Sequence, residues 1–89
     1  MASRQEPNEE KLHPLLEEAF RAGLDLPDDT TVKSLSYGGH RNWDSLGHMS
    51  LIVAIEQAFD VELDEDEVLR IDSYAAAAAM LAARAAVTA

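Results

Sequence analysis

In the first part of the chain, apolar residues recur every three or four positions. Leu12, Leu15, Leu16, Ala19 and Phe20 fall on one side of a helix, with Glu17, Glu18 and Arg21 on the other. This spacing predicts a helix over residues 12–23, with Pro14 in its first turn, where a missing N–H costs least, and Gly23 as its stop. Residues 1–11, polar and charged, read as a flexible N-terminus. Periodicity lapses from Leu24 to Asn42, where Pro27, Asp28-Asp29-Thr30-Thr31 and Tyr37-Gly38-Gly39-His40 are turn material. A loop this long is usually functional or carries a short helical turn, and Val32, Leu35 and Trp43 are its expected anchors.

A second helix is predicted over residues 45–59, with Asp44 as N-cap. Its apolar positions, Leu46, Met49, Leu51, Ile52, Val53, Ala54, Ile55 and Phe59, cover more than one stripe. Some apolar surface is therefore expected to stay exposed or to serve a partner. Asp60 to Glu67 is a charged connector in which Val61 and Leu63 alternate inward. A short helix over 65–70 is expected to bury Val68, Leu69 or Ile71. Ser73 caps a last, alanine-dominated helix over 74–86, with Met80 and Leu81 supplying most of the bulk. The expected fold is all-α: a small bundle of three main helices plus one short helix, with a long loop between helices one and two. Residues 12–87 read as a single domain without internal repeats.

Composition narrows the function. Eighty-nine residues leave room for one modest core and none for an enclosed catalytic cleft. Seventeen acidic against seven basic residues give a net charge of −10, which disfavours nucleic acids and anionic membranes and favours proteins with basic surfaces. Cysteine is absent, so the chain has neither a disulfide framework nor a thiol nucleophile. The first residues lack the apolar run of a secretory signal, and the longest apolar run, Tyr74 to Ala83, is too short to span a bilayer. The expectation is a cytoplasmic, non-membrane monomer that docks transiently.

The candidate chemistry lies in Asp44-Ser45-Leu46, where loop gives way to helix. A serine there places its hydroxyl beside unpaired backbone N–H groups and the positive end of the helix dipole, where a phosphate ester is favoured. Its plainer role is that of a capping residue. Leu46 is expected to fix the helix start by packing inward.

The stretch from Leu24 to Leu81 resembles the acyl carrier protein family. Around Asp44-Ser45-Leu46, the residues Ile55, Glu56, Phe59, Asp60, Leu63, Asp66-Glu67, Ile71 and Ser73 fall, without gaps, where that family has similar residues. Trp43-Asp44-Ser45-Leu46-Gly47-His48-Met49 looks like the form of the motif common in discrete carriers of polyketide and hybrid peptide pathways. The likeness reaches helix one only loosely.

The resemblance implies a non-enzymatic carrier. A phosphopantetheinyl transferase would move phosphopantetheine from coenzyme A to Ser45, flanked by Asp44 and Leu46, and the arm would hold cargo as a thioester. It also implies partner contacts at Met49, Val53, Glu56 and Asp60. The partners would be acyl- or aminoacyl-loading enzymes, acyltransferases or ketosynthases with basic docking surfaces. Gly47, Ser50 and Gln57 stand where carriers of fatty-acid synthesis often have acids, which favours a dedicated pathway such as polyketide antibiotic biosynthesis. An aminoacyl or peptidyl carrier is the close alternative, sharing the fold, the arm and the serine. An unmodified protein-interaction module is the reading from a different class.

Other groupings carry less. By periodicity alone Met49 and Val53 read equally as core or contact surface. The acids from Asp60 to Glu67 form either a docking surface or a solvated face that favours the start of the third helix. A calcium loop beginning at Asp60 would need glycine at 65 and glutamate at 71, where the chain has Glu65 and Ile71. His13, His40 and His48 are too scattered for a metal motif. His48 either contacts the phosphate of a modified Ser45 or lines the surface beside it, and His40 and Arg41 share that choice. A serine-hydrolase elbow would need glycine where Trp43 stands. The run Ala75 to Ala79 is either a helix former packed closely on its neighbours or one wall of a groove for part of an acyl chain.

Overall fold

The computed structural model describes residues 9–88. Four α-helices follow in order: α1 (Glu9–Leu24), α2 (Ser45–Phe59), α3 (Glu65–Arg70) and α4 (Tyr74–Thr88), with a 3-10 turn at Val32–Ser34 inside the first loop. The all-α expectation holds for these residues, and so do the starts of the last three helices. The boundaries of α1 differ. It begins at Glu9, so Pro14 lies inside it rather than in its first turn. The proline forfeits one hydrogen bond to the carbonyl four residues back. Upstream of it Leu12 is buried in the core, which holds the extra turn in place. Of the expected flexible N-terminus, residues 9–11 are helical, and residues 1–8 lie outside the described residues.

Gly23 does not end α1. A Cβ there would stand 2.7 Å from Leu51 Cα and 3.2 Å from Ala54 Cβ, so glycine serves the close approach of α1 to α2. The stop is Asp25, in the left-handed region at φ 53°, with the Leu26 N–H reaching back to the Arg21 carbonyl at 3.1 Å. α2 ends the same way. Asp60 takes φ 55°, and the Val61 N–H bonds the Glu56 carbonyl at 3.1 Å. Arg21 then pins the loop by donating to the Pro27 and Thr30 carbonyls, each at 3.1 Å.

α1 packs mainly on α2 and also touches α4. The core between them holds Leu16, Phe20, Leu51, Ile55 and Ile71, with Trp43 fully buried in its midst. Phe20 meets the Trp43 ring edge-on at 5.3 Å and the Tyr74 ring at 5.1 Å. The expected loop anchors Val32 and Trp43 are buried, and Leu35 packs against the core. On α4 the inward bulk comes from Tyr74 and Leu81, while Met80 is only partly buried. α3 buries none of its own residues: Leu69 is exposed, Val68 is partly covered, and Ile71 just beyond the helix enters the core. α3 stays in place through its caps. Asp64 and Glu67 form a reciprocal capping box, and Glu67 also pairs with Arg84 of α4 at 2.6 Å. Ser73 caps α4 through the Ala76 N–H at 3.0 Å, as its position predicted.

Candidate functional site

The loop before α2 is held to the bundle at both ends of one segment. The Tyr37 N–H donates to the Asp72 carbonyl at 2.8 Å, and the Tyr74 N–H to the Leu35 carbonyl at 3.0 Å, on either side of an antiparallel bridge between Ser36 and Ser73. Beyond it the chain folds on itself. The Gly39, Trp43 and Gly38 amides donate to the Ser36, His40 and Trp43 carbonyls at 2.8, 2.9 and 3.0 Å. Burial of Trp43 in the core therefore fixes where the next two residues emerge.

Those residues are Asp44 and Ser45. Asp44 is extended, and its carboxylate accepts from the Gly47 N–H at 2.9 Å, the expected N-cap. Ser45 is the first residue of α2 and is exposed. Its Oγ shares a long hydrogen bond of 3.3 Å with the Tyr37 hydroxyl, and the lone pairs left on both oxygens stay open to a third group.

His48 lies one turn into α2, but its ring does not face outward to the serine. The Trp43 indole N–H donates to His48 Nδ1 at 3.0 Å, and His48 Nε2 lies 2.9 Å from the Val68 carbonyl. An indole N–H can only donate, and a carbonyl only accept. The arrangement thus requires a neutral imidazole with its proton on Nε2. The His48 and Trp43 ring planes lie within 14° of parallel with centroids 6.1 Å apart, and Tyr37 stands nearly perpendicular to both, at 5.7 Å from His48 and 6.3 Å from Trp43. This aromatic group ties the start of α2 to α3. Beyond the two roles read from the sequence, the geometry gives His48 another, as a brace between the loop, α2 and α3. His40 also works within the loop, its Nδ1 accepting from the Asn42 N–H at 3.0 Å.

Gly47 has a steric reason. A Cβ at that position would fall 1.9 Å from the Asn42 carbonyl oxygen, so the loop can cross α2 here only over a glycine.

Leu46 requires a correction. It does not pack inward but is 80% exposed, because Trp43 already fills the core at the start of α2 and the first turn points Leu46 away. Met49 at 57% and Val53 at 48% continue the exposed apolar line along the same face. Beside Met49 and Val53 an open depression of about 500 Å³ runs between α2 and α1, its floor formed by Ala22, Gly23 and Ala54. The expectation of leftover apolar surface on α2 is met, and on this face rather than in the core.

Glu56 is half-buried, and its carboxylate accepts from the Leu63 N–H at 2.9 Å. The left-handed turn at Asp60 leaves that amide without a helical partner, and Glu56 supplies one. Asp60 itself is exposed. Within the acidic block, Asp64 and Glu67 are likewise engaged in capping and in the Arg84 pair. Among the described residues no group of side chains is arranged to hold a metal ion. None of the described helices is long and apolar enough to cross a membrane.

Ala76 and Ala79 of the alanine run line an open groove of about 820 Å³ between α3 and α4, with Met80, Arg70 and the Arg84–Glu67 pair at its edges. Sequence reasoning missed Tyr37 as a neighbour of Ser45. Its setting between a serine and two glycines signals a turn, and nothing local tells where the ring goes.

No protein-family model matches this chain, and no solved structure matches it.

Proposed function

We propose that this chain is an acyl carrier protein with the carrier fold, modified at Ser45 and working in a dedicated pathway of the polyketide type. The observation that carries the reading is the exposed Ser45 hydroxyl at the first residue of α2, beside an exposed apolar line of Leu46, Met49 and Val53. The residues around Ser45 fit a phosphodiester. The hydroxyl is open to solvent, and the Tyr37 hydroxyl is near enough to donate. The helix terminus adds a favourable field.

In loading, Ser45 Oγ bonds to the phosphorus on the pantetheine side of coenzyme A. The pyrophosphate P–O bond breaks, the adenine nucleotide leaves, and the serine proton passes to a base on the transferase. The arm supplies a thiol that holds cargo as a thioester. The chain's own part is presentation. Tethering raises the local concentration of cargo at a docked enzyme to about millimolar without new contacts. Docking falls to α2, where Leu46, Met49 and Val53 offer apolar contact and Asp60 an exposed acid, complementing a basic partner surface. The chain itself catalyses nothing on this reading.

The test is covalent loading by a broad-specificity phosphopantetheinyl transferase with coenzyme A, followed by offering the product to acyl-loading and aminoacyl-loading enzymes. Acylation supports the reading, and charging with an amino acid alone moves the chain to the aminoacyl or peptidyl carriers. The interaction-module reading is favoured by the exposed line on α2, and predicts that Ser45→Ala keeps full biological activity.

A further inference from the structure

Tyr37 is a large, half-exposed aromatic residue in a loop whose anchors Val32 and Trp43 are buried. Its position is nevertheless held from three sides. Its amide is bonded to the Asp72 carbonyl at 2.8 Å, and its ring stands nearly perpendicular against those of Trp43 and His48. Those two rings are themselves fixed by the indole–imidazole bond and by the bond from His48 to the Val68 carbonyl. Phenylalanine would make the same ring contacts. The hydroxyl is what differs, and it lies 3.3 Å from Ser45 Oγ. A tyrosine hydroxyl both donates and accepts, so it can serve the serine before modification and an anion on the serine afterwards.

Resting on the carrier reading above, we infer that Tyr37 is a positioning residue for Ser45. Its hydroxyl orients Ser45 Oγ for transfer, and then donates to a non-bridging oxygen of the Ser45 phosphodiester. The aromatic group beneath it keeps that donor at a fixed place relative to the start of α2. The root of the arm is thereby held in one direction, while the rest swings freely.

The experiment compares wild type and Tyr37→Phe, both full-length. The measurements are melting temperature, steady-state loading by one transferase with coenzyme A, and the phosphorus NMR spectrum of the purified loaded forms. Tyr37→Phe is expected to melt with the wild type and to keep its KM. Its kcat falls about fivefold, the worth of one ordinary hydrogen bond, and its phosphodiester resonance moves. Superimposable phosphorus spectra overturn the inference, whether or not kcat falls, because a kcat loss alone places the effect on the transferase surface. Should Tyr37→Phe melt much lower, the same phosphorus comparison is made below its transition and decides in the same way. If the wild type takes up no phosphopantetheine, the carrier reading fails first and takes this inference with it, an outcome separate from loading without a spectral difference.

Discussion

Trp43 and His48 are joined beside Ser45: the indole N–H donates to His48 Nδ1 at 3.0 Å, and the two ring planes lie within 14° of parallel. Trp43 belongs to the loop and His48 to α2, so the bond spans the junction that presents the serine. His48 passes the connection to α3 through the Val68 carbonyl at 2.9 Å. His48→Phe keeps a ring in place but leaves the buried indole N–H without its acceptor. It is expected to cost about 1–3 kcal/mol, the penalty of an unsatisfied buried donor. Urea unfolding followed by Trp43 fluorescence measures this, and an unchanged midpoint would show that the bond contributes nothing net.

Gly47→Ala inserts a methyl group where the Asn42 carbonyl already stands, 1.9 Å from the ideal Cβ position. Backbone must move to accept it, and overpacking of this kind costs about 1–3 kcal/mol. Calorimetry is expected to show a lower melting temperature. Amide shifts should change most in residues 40–47. A variant as stable as the wild type, with an unshifted Asn42, would contradict the close crossing.

Tyr74 gives the fold an alkaline limit. Burial, helped by the negative charge of Glu17, pushes its phenol up from 10.0 to about 12. Between those values the unfolded chain has released a proton that the folded chain retains, so stability falls as pH rises. The contribution is fully present below pH 10 and is lost as pH climbs towards about 12. Denaturation midpoints measured across this interval should drop more steeply for the wild type than for Tyr74→Phe. Parallel slopes would rule out a raised phenol.

Asp60 holds a left-handed conformation at φ 55°, which residues with a Cβ adopt at a cost. Asp60→Gly is therefore expected to gain about 0.5–1 kcal/mol in thermal unfolding. If Asp60 also meets a basic partner, the same variant binds that partner more weakly while being more stable. A loss of stability would mean that the aspartate side chain supports the turn.

Much of this architecture can be read from the residues. Asp44 and Ser73 announce the starts of α2 and α4 by their capping chemistry, and both side chains make the expected bonds. Trp43 and Val32 are legible as anchors because large apolar side chains in a polar loop have few other places to go. What escaped was set by tertiary contact. Leu46 looks like core until Trp43 is known to occupy that space. Gly23 resembles a helix stop, but its value lies in the backbone of α2 passing 2.7 Å from its missing Cβ. Glu56 has the pattern of a surface acid and instead caps a stray amide. Tyr37 reaches Ser45 only because the loop is stitched to Asp72 far along the chain, and no local spacing encodes that pairing.

The central claim is that Ser45 carries the arm, and intact mass spectrometry tests it most directly. Wild type and Ser45→Ala are incubated with coenzyme A and a broad-specificity phosphopantetheinyl transferase under identical conditions. Asp44 still caps α2 in the variant, so both chains are expected to stay folded. The wild type should gain the mass of one phosphopantetheine and the variant none. A folded wild type left unmodified by several transferases, or a variant that gains the same mass, would contradict the account.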